Sequence, residues 1–169
     1  MARDEAEFTE FVATRSTALL RTAYLLTGDR HLAEDLVQTA LVRAYPLWGG
    51  LREPRAAESY VRTAMVRTLI NWRQRHAWSR ERVASSPPEI AVLPAGDEID
   101  ARVRLWPLVL TLPPRQRAVV VLRYYEDLTE PQTAAILGCS TGAVKSHNAR
   151  ALRTLRAHLE STAEARRLS

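Results

Sequence analysis

Residues 129–141 read TEPQTAAILGCST, and few folds accept that string. Thr129 is followed three residues later by Gln132, the pattern of a capping box. In that pattern a threonine hydroxyl caps a helix start while the glutamine amide reaches back to the cap's own N–H. Pro131 falls in the first turn, where its missing N–H costs nothing. A short apolar helix follows through Ala134, Ala135, Ile136 and Leu137. Gly138 supplies the left-handed residue that ends it. Ser140 is then a second N-cap, and a longer helix opens at Thr141. Short helix, glycine turn and longer helix make a helix-turn-helix, whose second helix enters the major groove of duplex DNA.

At about 3.6 residues per turn the longer helix sorts into two faces. Val144, Ala151, Leu152, Leu155 and Leu159 form an inward stripe. Ser146, Ala149, Arg150 and Arg153 lie opposite, with Lys145 at the flank and Thr141 at the helix start. A small or cationic outward face suits base-edge and phosphate contacts; a solvated arginine stripe on a plain surface helix is the competing reading. Asn148 falls close to the inward face, where it either hydrogen-bonds locally or marks that face as narrower than drawn.

Nearly every other segment also has helical periodicity. A first helix is expected over 5–26, with Phe8, Phe11, Val12, Leu19, Ala23 and Leu26 inward. Asp29 caps a second helix over 30–45, closed by 46–50. Residues 51–58 are expected as a loop or short turn, and a third helix over 59–83. The stretch 84–97, ASSPPEIAVLPAGD, has no helical period and reads as a linker. Helices near 100–110 and from the Pro113-Pro114 corner to about 125 precede the helix-turn-helix. Residues 163–169 are expected to fray. The fold class is therefore all-α: two small helical domains, 1–83 and 98–169, joined by a flexible linker.

The second helix has an unusual wheel. Leu32, Ala33, Leu36, Val37, Ala40, Ala44 and Leu47 make an apolar face, but the opposite face mixes Glu34, Asp35, Gln38, Leu41, Val42 and Tyr45. Carboxylates, an amide, aliphatics and a tyrosine together have the chemistry of a protein contact, although isolated exposed apolar residues are ordinary. In the third helix Val61, Met65, Leu69 and Trp72 share one face, with Trp72 expected in the core. Arg62, Arg67, Arg73, Arg75, Arg80 and Arg82 surround them, with His76 and Trp78 interleaved. Arginines hold phosphates and aromatic rings stack on unpaired bases, a combination suited to melted DNA.

The whole-chain balance agrees with an anionic partner: the 169 residues carry a formal net charge of +5, and the pI is near 10.0. Cys139 is the single cysteine, which fits a reducing cytoplasm and reads as a small buried hydrophobe. His31, His76, His147 and His158 have no metal-ligand spacing, and no cofactor is expected. No apolar run is long enough to span a membrane, and the charged start MARDEAEF is unlike a signal peptide.

The string LPPRQRAVVVLRYYEDLTEPQTAAILGCSTGAVKSHNARAL resembles the C-terminal DNA-binding domain of bacterial extracytoplasmic-function sigma factors. Less closely, it resembles the helix-turn-helix of LuxR-type regulators. AEDLVQTALVRAYPLW is similar to the segment with which sigma factors grip the clamp helices of RNA polymerase. The resemblance extends over about 8–82 and 100–159, and WGGLREP with the compact linker points to the actinobacterial SigE-type subgroup. It implies a sigma factor that binds core RNA polymerase and promoter DNA, directs initiation and works in the cytoplasm; an anti-sigma factor is a further candidate partner, and the sequence leaves open whether one holds this chain inactive. It implies polymerase contacts at Glu34, Asp35, Gln38 and Val42, with Thr39 standing where many relatives carry an acid. It places −10 contacts at Arg52, Arg55, Arg62, Arg67, Arg73, Arg75 and Trp78. The −35 contacts fall at Thr141, Lys145, Ser146, Ala149, Arg150 and Arg153. The rival is a stand-alone LuxR-type regulator. An enzyme is disfavoured: Glu34 and Asp35 are a tight acidic pair before the linker, but adjacent helical positions diverge by about 100°.

Overall fold

The computed structural model describes residues 2–51, 53–77 and 100–168; at 2, 3, 76, 77 and 100–104 it describes backbone alone. The described residues form helices and connecting turns, with no strand among them. The chain divides into two compact units, 1–89 and 90–169. The stretch read as a linker, 84–97, lies outside the described residues, as do Arg52, Trp78, Arg80 and Arg82.

In the first unit α1 spans Ala2–Thr27, α2 Arg30–Ala44 and α3 Pro54–Ala77, with a 3₁₀ helix at Tyr45–Gly50 between the last two. Gly28, at φ +71°, ends α1, and the Asp29 carboxylate then accepts the Leu32 N–H at 2.9 Å to start α2. A left-handed residue followed at once by an N-cap turns the chain sharply, so α2 packs back on α1. Leu19, Ala23, Leu26, Ala33, Leu36, Ala40, Val61 and Met65 are buried between the three helices.

Four expectations for this unit are corrected. The third helix begins at Pro54, not near residue 59: proline suits the first helical position, and the Ala57 N–H already donates to the Glu53 carbonyl at 3.0 Å. Leu47 is half-exposed while Trp48 is buried. The chain tightens to about three residues per turn from Tyr45 onward, which advances the phase by one position and sends the indole inward. There Trp48 meets Phe8 and Phe11 with ring centroids 5.0 and 4.9 Å away. Leu32, in the first turn of α2, is exposed. Trp72 is only partly buried, because the last fully enclosed turn of that face is the one holding Met65 and Leu69.

In the second unit α4 spans Asp100–Val109, α5 Pro114–Val120, α6 Glu130–Leu137 and α7 Thr141–Arg167. The Arg117 guanidinium donates to the carbonyls of Leu110 and Leu112 at 2.8 and 3.1 Å, satisfying oxygens that the end of α4 leaves open. Burial of that guanidinium lowers its pKa from the usual arginine value. The α5 helix runs into a π turn, Val121–Tyr125. Val119 on α5, Ala134 on α6 and Val144 on α7 make the core, with Leu137 and a half-buried Cys139 against them. Two further corrections concern α7. It stays helical to Arg167 instead of ending near residue 163, and Leu159 is exposed. Leu155 is the last α7 side chain the core covers, and beyond it the helix rests on its own hydrogen bonds.

Candidate nucleic-acid interface

The local chemistry of the helix-turn-helix is complete. Thr129 Oγ1 accepts the Gln132 N–H at 3.2 Å, and Gln132 Oε1 accepts the Thr129 N–H at 2.9 Å. Gly138 sits at φ +67°, and the Cys139 N–H returns to the Ala134 carbonyl at 3.1 Å. Ser140 Oγ then accepts the Ala143 N–H at 3.1 Å. Each bond satisfies a helix-terminal group that would otherwise be open, so the direction in which α7 leaves the turn is fixed locally.

Seated on that turn, α7 buries Val144, Ala151 and Leu155 and exposes Thr141, Lys145, Ser146, Ala149, Arg150 and Arg153. Lys145 Nζ lies 3.8 Å from Glu130 Oε2, a loose surface pair of little energetic weight. Asn148 is not locally bonded: its Nδ2 donates to the hydroxyl of Tyr124, 2.9 Å away. The π turn makes this contact possible. Glu126 N–H reaches the Val121 carbonyl and Leu128 N–H the Leu122 carbonyl, both at 3.0 Å. Asp127 takes φ +53°, and Arg123 donates to the Leu128 carbonyl. The widened turn carries Tyr124 to the flank of α7, with the Arg123 guanidinium 5.9 Å from its ring centroid.

The opposite flank was not legible as a site. Arg115 on α5 and His147 and Arg150 on α7 act on one another there: burial first, then the charges of Arg115 and Arg150, lower the His147 pKa from its usual value. Spacing holds the only signal. Arg115 stands four residues before the core residue Val119, and His147 three after Val144, so each lies one turn from the contact between the helices.

In the first unit α2 divides as its wheel predicts apart from Leu32 and Leu47, which are exposed. Ala33, Leu36, Val37, Ala40 and Ala44 are buried, while Asp35, Gln38 and Val42 are exposed, Val42 at 72%. Glu34 is half-buried and accepts from Arg30 Nε at 3.2 Å. Tyr45 and Leu47 are each half-exposed and extend this outward face, the Tyr45 ring edge-on to Phe8 at 4.9 Å. The arginines of α3 separate into two kinds. Arg55, Arg67 and Arg75 are exposed. Arg62 is paired with Glu58 at 3.3 Å, which also lies 3.7 Å from Arg15, and Arg73 donates to the Leu26 carbonyl at 3.4 Å.

Known proteins agree with this layout. The family description "Sigma-70 region 2" matches residues 11–79, and "Sigma-70, region 4" matches residues 102–155. The RNA polymerase sigma-E factor of Streptomyces avermitilis is 42% identical over 166 residues, which cover 95% of this chain and 90% of that one. The chain belongs to the sigma-70 family. Its relatives place it among sigma factors of the extracytoplasmic-function type, and as one of these it directs RNA polymerase in transcription initiation at promoter DNA. The sigma-E factor of Streptomyces coelicolor is 40% identical, covering 90% of this chain and 86% of that one. In fold, the chain is similar to the sigma factor RpoE solved in complex with the anti-sigma factor NepR from Bartonella quintana. The TM-score is 0.72 at 22% identity, covering 91% of this sigma factor and 97% of that chain. CnrH, solved in complex with the cytosolic domain of CnrY, gives a TM-score of 0.59 at 22% identity over 93% and 90% of the two chains. The region 2 match across α1, α2 and α3 does not favour the LuxR-type alternative, which has no reason to carry that block. No described helix is long and apolar enough to cross a membrane.

Proposed function

We propose a division of labour within this sigma factor. The unit of 1–83 grips core polymerase with Glu34, Asp35, Gln38 and Val42 of α2. It holds the −10 element with Arg52, Arg55, Arg62, Arg67, Arg73, Arg75 and Trp78. The unit of 98–169 reads the −35 duplex with Thr141, Lys145, Ser146, Ala149, Arg150 and Arg153, and 84–97 links the two. The observation that carries this reading is that α2 and α7 each have a buried apolar stripe and a second face that nothing in its own unit covers. On α2 the uncovered face mixes Asp35 and Gln38 with Val42, the composition of a protein contact. On α7 it is short and cationic, the composition of a groove reader. Among the −10 residues, Arg55, Arg67 and Arg75 are poised to meet phosphate directly. Arg62 and Arg73 must first release Glu58 and the Leu26 carbonyl, so their contribution is expected to be smaller.

The chain performs no covalent chemistry and acts in the cytoplasm. An anti-sigma protein is its third partner, as NepR is for RpoE. Val42, Tyr45 and Leu47, bare in the free chain, are the surface such a protein would cover in competition with polymerase. Co-purification with core polymerase followed by run-off transcription on genomic DNA tests the assignment. Asp35→Ala/Gln38→Ala should fail at the first step, and Arg150→Ala should pass it and fail at promoters. If both variants behave as wild type throughout, the assignment is wrong.

A further inference from the structure

Three basic side chains from two helices meet on one flank of α7. Arg115 lies in the first turn of α5, which begins at Pro114; His147 and Arg150 are one turn apart on α7. The packing of Val119 on Val144 fixes the two helices against each other. One turn away from that contact, on each helix, the next side chains on the same face are Arg115 and His147. Arg115 and Arg150 are exposed and His147 is partly buried. Among the described residues neither guanidinium has a carboxylate within ion-pair distance.

Among the described residues the surroundings supply no counter-charge. The charges acting on His147 are those of Arg115 and Arg150. Glu130 of α6 lies toward Lys145, 3.8 Å away, and is not among the charges acting on His147. Arg117 of α5 turns to the carbonyls of Leu110 and Leu112, and Arg123 of the π turn to that of Leu128. Glu126 and Asp127 follow the π turn and do not act on His147. The described side chains of α4, from Leu105 to Val109, are uncharged.

A partly buried imidazole between two unpaired guanidinium groups has one natural ligand, a compact anion with several acceptor oxygens. The flank of a helix lying in the major groove faces the phosphate backbone. Resting on the reading of α7 as the duplex-binding helix, we propose that Arg115 and His147 together hold one DNA backbone phosphate, with Arg150 beside them left to the adjacent base edge, and that His147 takes up a proton from solvent as they do so. The free chain disfavours the protonated imidazole, because a third positive charge there is less well solvated and is repelled by Arg115 and Arg150. A bound phosphate reverses that balance, so duplex binding and protonation strengthen each other.

Phosphate contacts carry no sequence information, so the probe is a mixed-sequence 20-base-pair duplex, labelled for fluorescence anisotropy and titrated with the full chain at low salt. Affinity of the wild type should rise about three- to tenfold between pH 8 and pH 6, since a one-unit pKa change corresponds to about tenfold. His147→Gln should abolish that rise. His31→Gln and His158→Gln should leave it in place. Arg115→Ala, at an exposed position, should lower the slope of log affinity against log salt by about 0.9. The His147 ring signal in proton NMR should titrate at higher pH with the duplex than without it. Duplex binding with the same pH profile in wild type and His147→Gln, or an NMR midpoint that the duplex does not move, overturns the proposal alone. No duplex binding by the wild type at any pH overturns the DNA reading of α7 and this proposal with it.

Discussion

Asn148, in the middle of the recognition helix, donates its amide to the hydroxyl of Tyr124 at 2.9 Å, across 24 residues of chain. The bond ties α7 to the π turn and so limits the roll of the helix about its own axis. Such a bond between uncharged groups contributes about 0.5–1.5 kcal/mol, toward the lower end where one partner is exposed as Tyr124 is. A double-mutant cycle of Tyr124→Phe and Asn148→Ala in urea denaturation should therefore show a coupling of about 0.5–1 kcal/mol. Additive effects would mean that the bond is not maintained in solution.

Gly138→Ala should destabilise the second unit by about 1–2 kcal/mol, the cost of placing a Cβ in the left-handed region. A Cβ there would meet nothing within 4 Å, so the loss is backbone strain alone. Gly138→Asn should recover part of it, because asparagine tolerates that conformation. Thermal melts of the three proteins check the order Gly, Asn, Ala.

Asp35→Ala with Gln38→Ala should leave the melting temperature nearly unchanged, since both side chains are exposed. Core-polymerase binding should fall, by about 2 kcal/mol for each side chain that is an interface hot spot. Pull-down with core enzyme and a melt of the same preparation separate the two effects.

Arg150→Ala should cost about 1–3 kcal/mol on the preferred −35 sequence if it reads a base edge, and should relax preference at one position. Lys145→Ala should weaken all sequences alike and flatten the salt dependence. Its partner Glu130 is too loosely held for the substitution to disturb folding. Equal losses for both variants across a set of −35 sequences would remove base reading from Arg150.

Stability of the second unit should depend on pH through His147. Its folded pKa is lowered, by burial first and by Arg115 and Arg150 next, so the unfolded chain binds the proton more readily. The His147 contribution is therefore fully present above about pH 6.5, the unfolded value, and is lost as pH falls through the lower folded value. His147→Gln should flatten the melting temperature between pH 7 and pH 5 relative to wild type.

The sequence alone determined the turn around Gly138, the caps at Asp29, Thr129 and Ser140, and the centres of the buried stripes of α2 and α7, though not their ends at Leu32, Leu47 and Leu159. Each rests on hydrogen bonds or face periodicity within a few residues, where spacing along the chain is spacing in the molecule. Tertiary structure decided the rest. Tightening to a 3₁₀ helix at Tyr45 exchanged Leu47 for Trp48 in the core, and the start of α3 at Pro54 consumed most of the expected loop. Glu58 and the Leu26 carbonyl claimed Arg62 and Arg73 out of a run of arginines that look alike in sequence. Tyr124 with Asn148, and Arg115 with His147, are brought together by the packing of helices that a linear reading keeps apart. A helix wheel assigns a face to a side chain, but what stands opposite that face depends on contacts between elements distant in the chain.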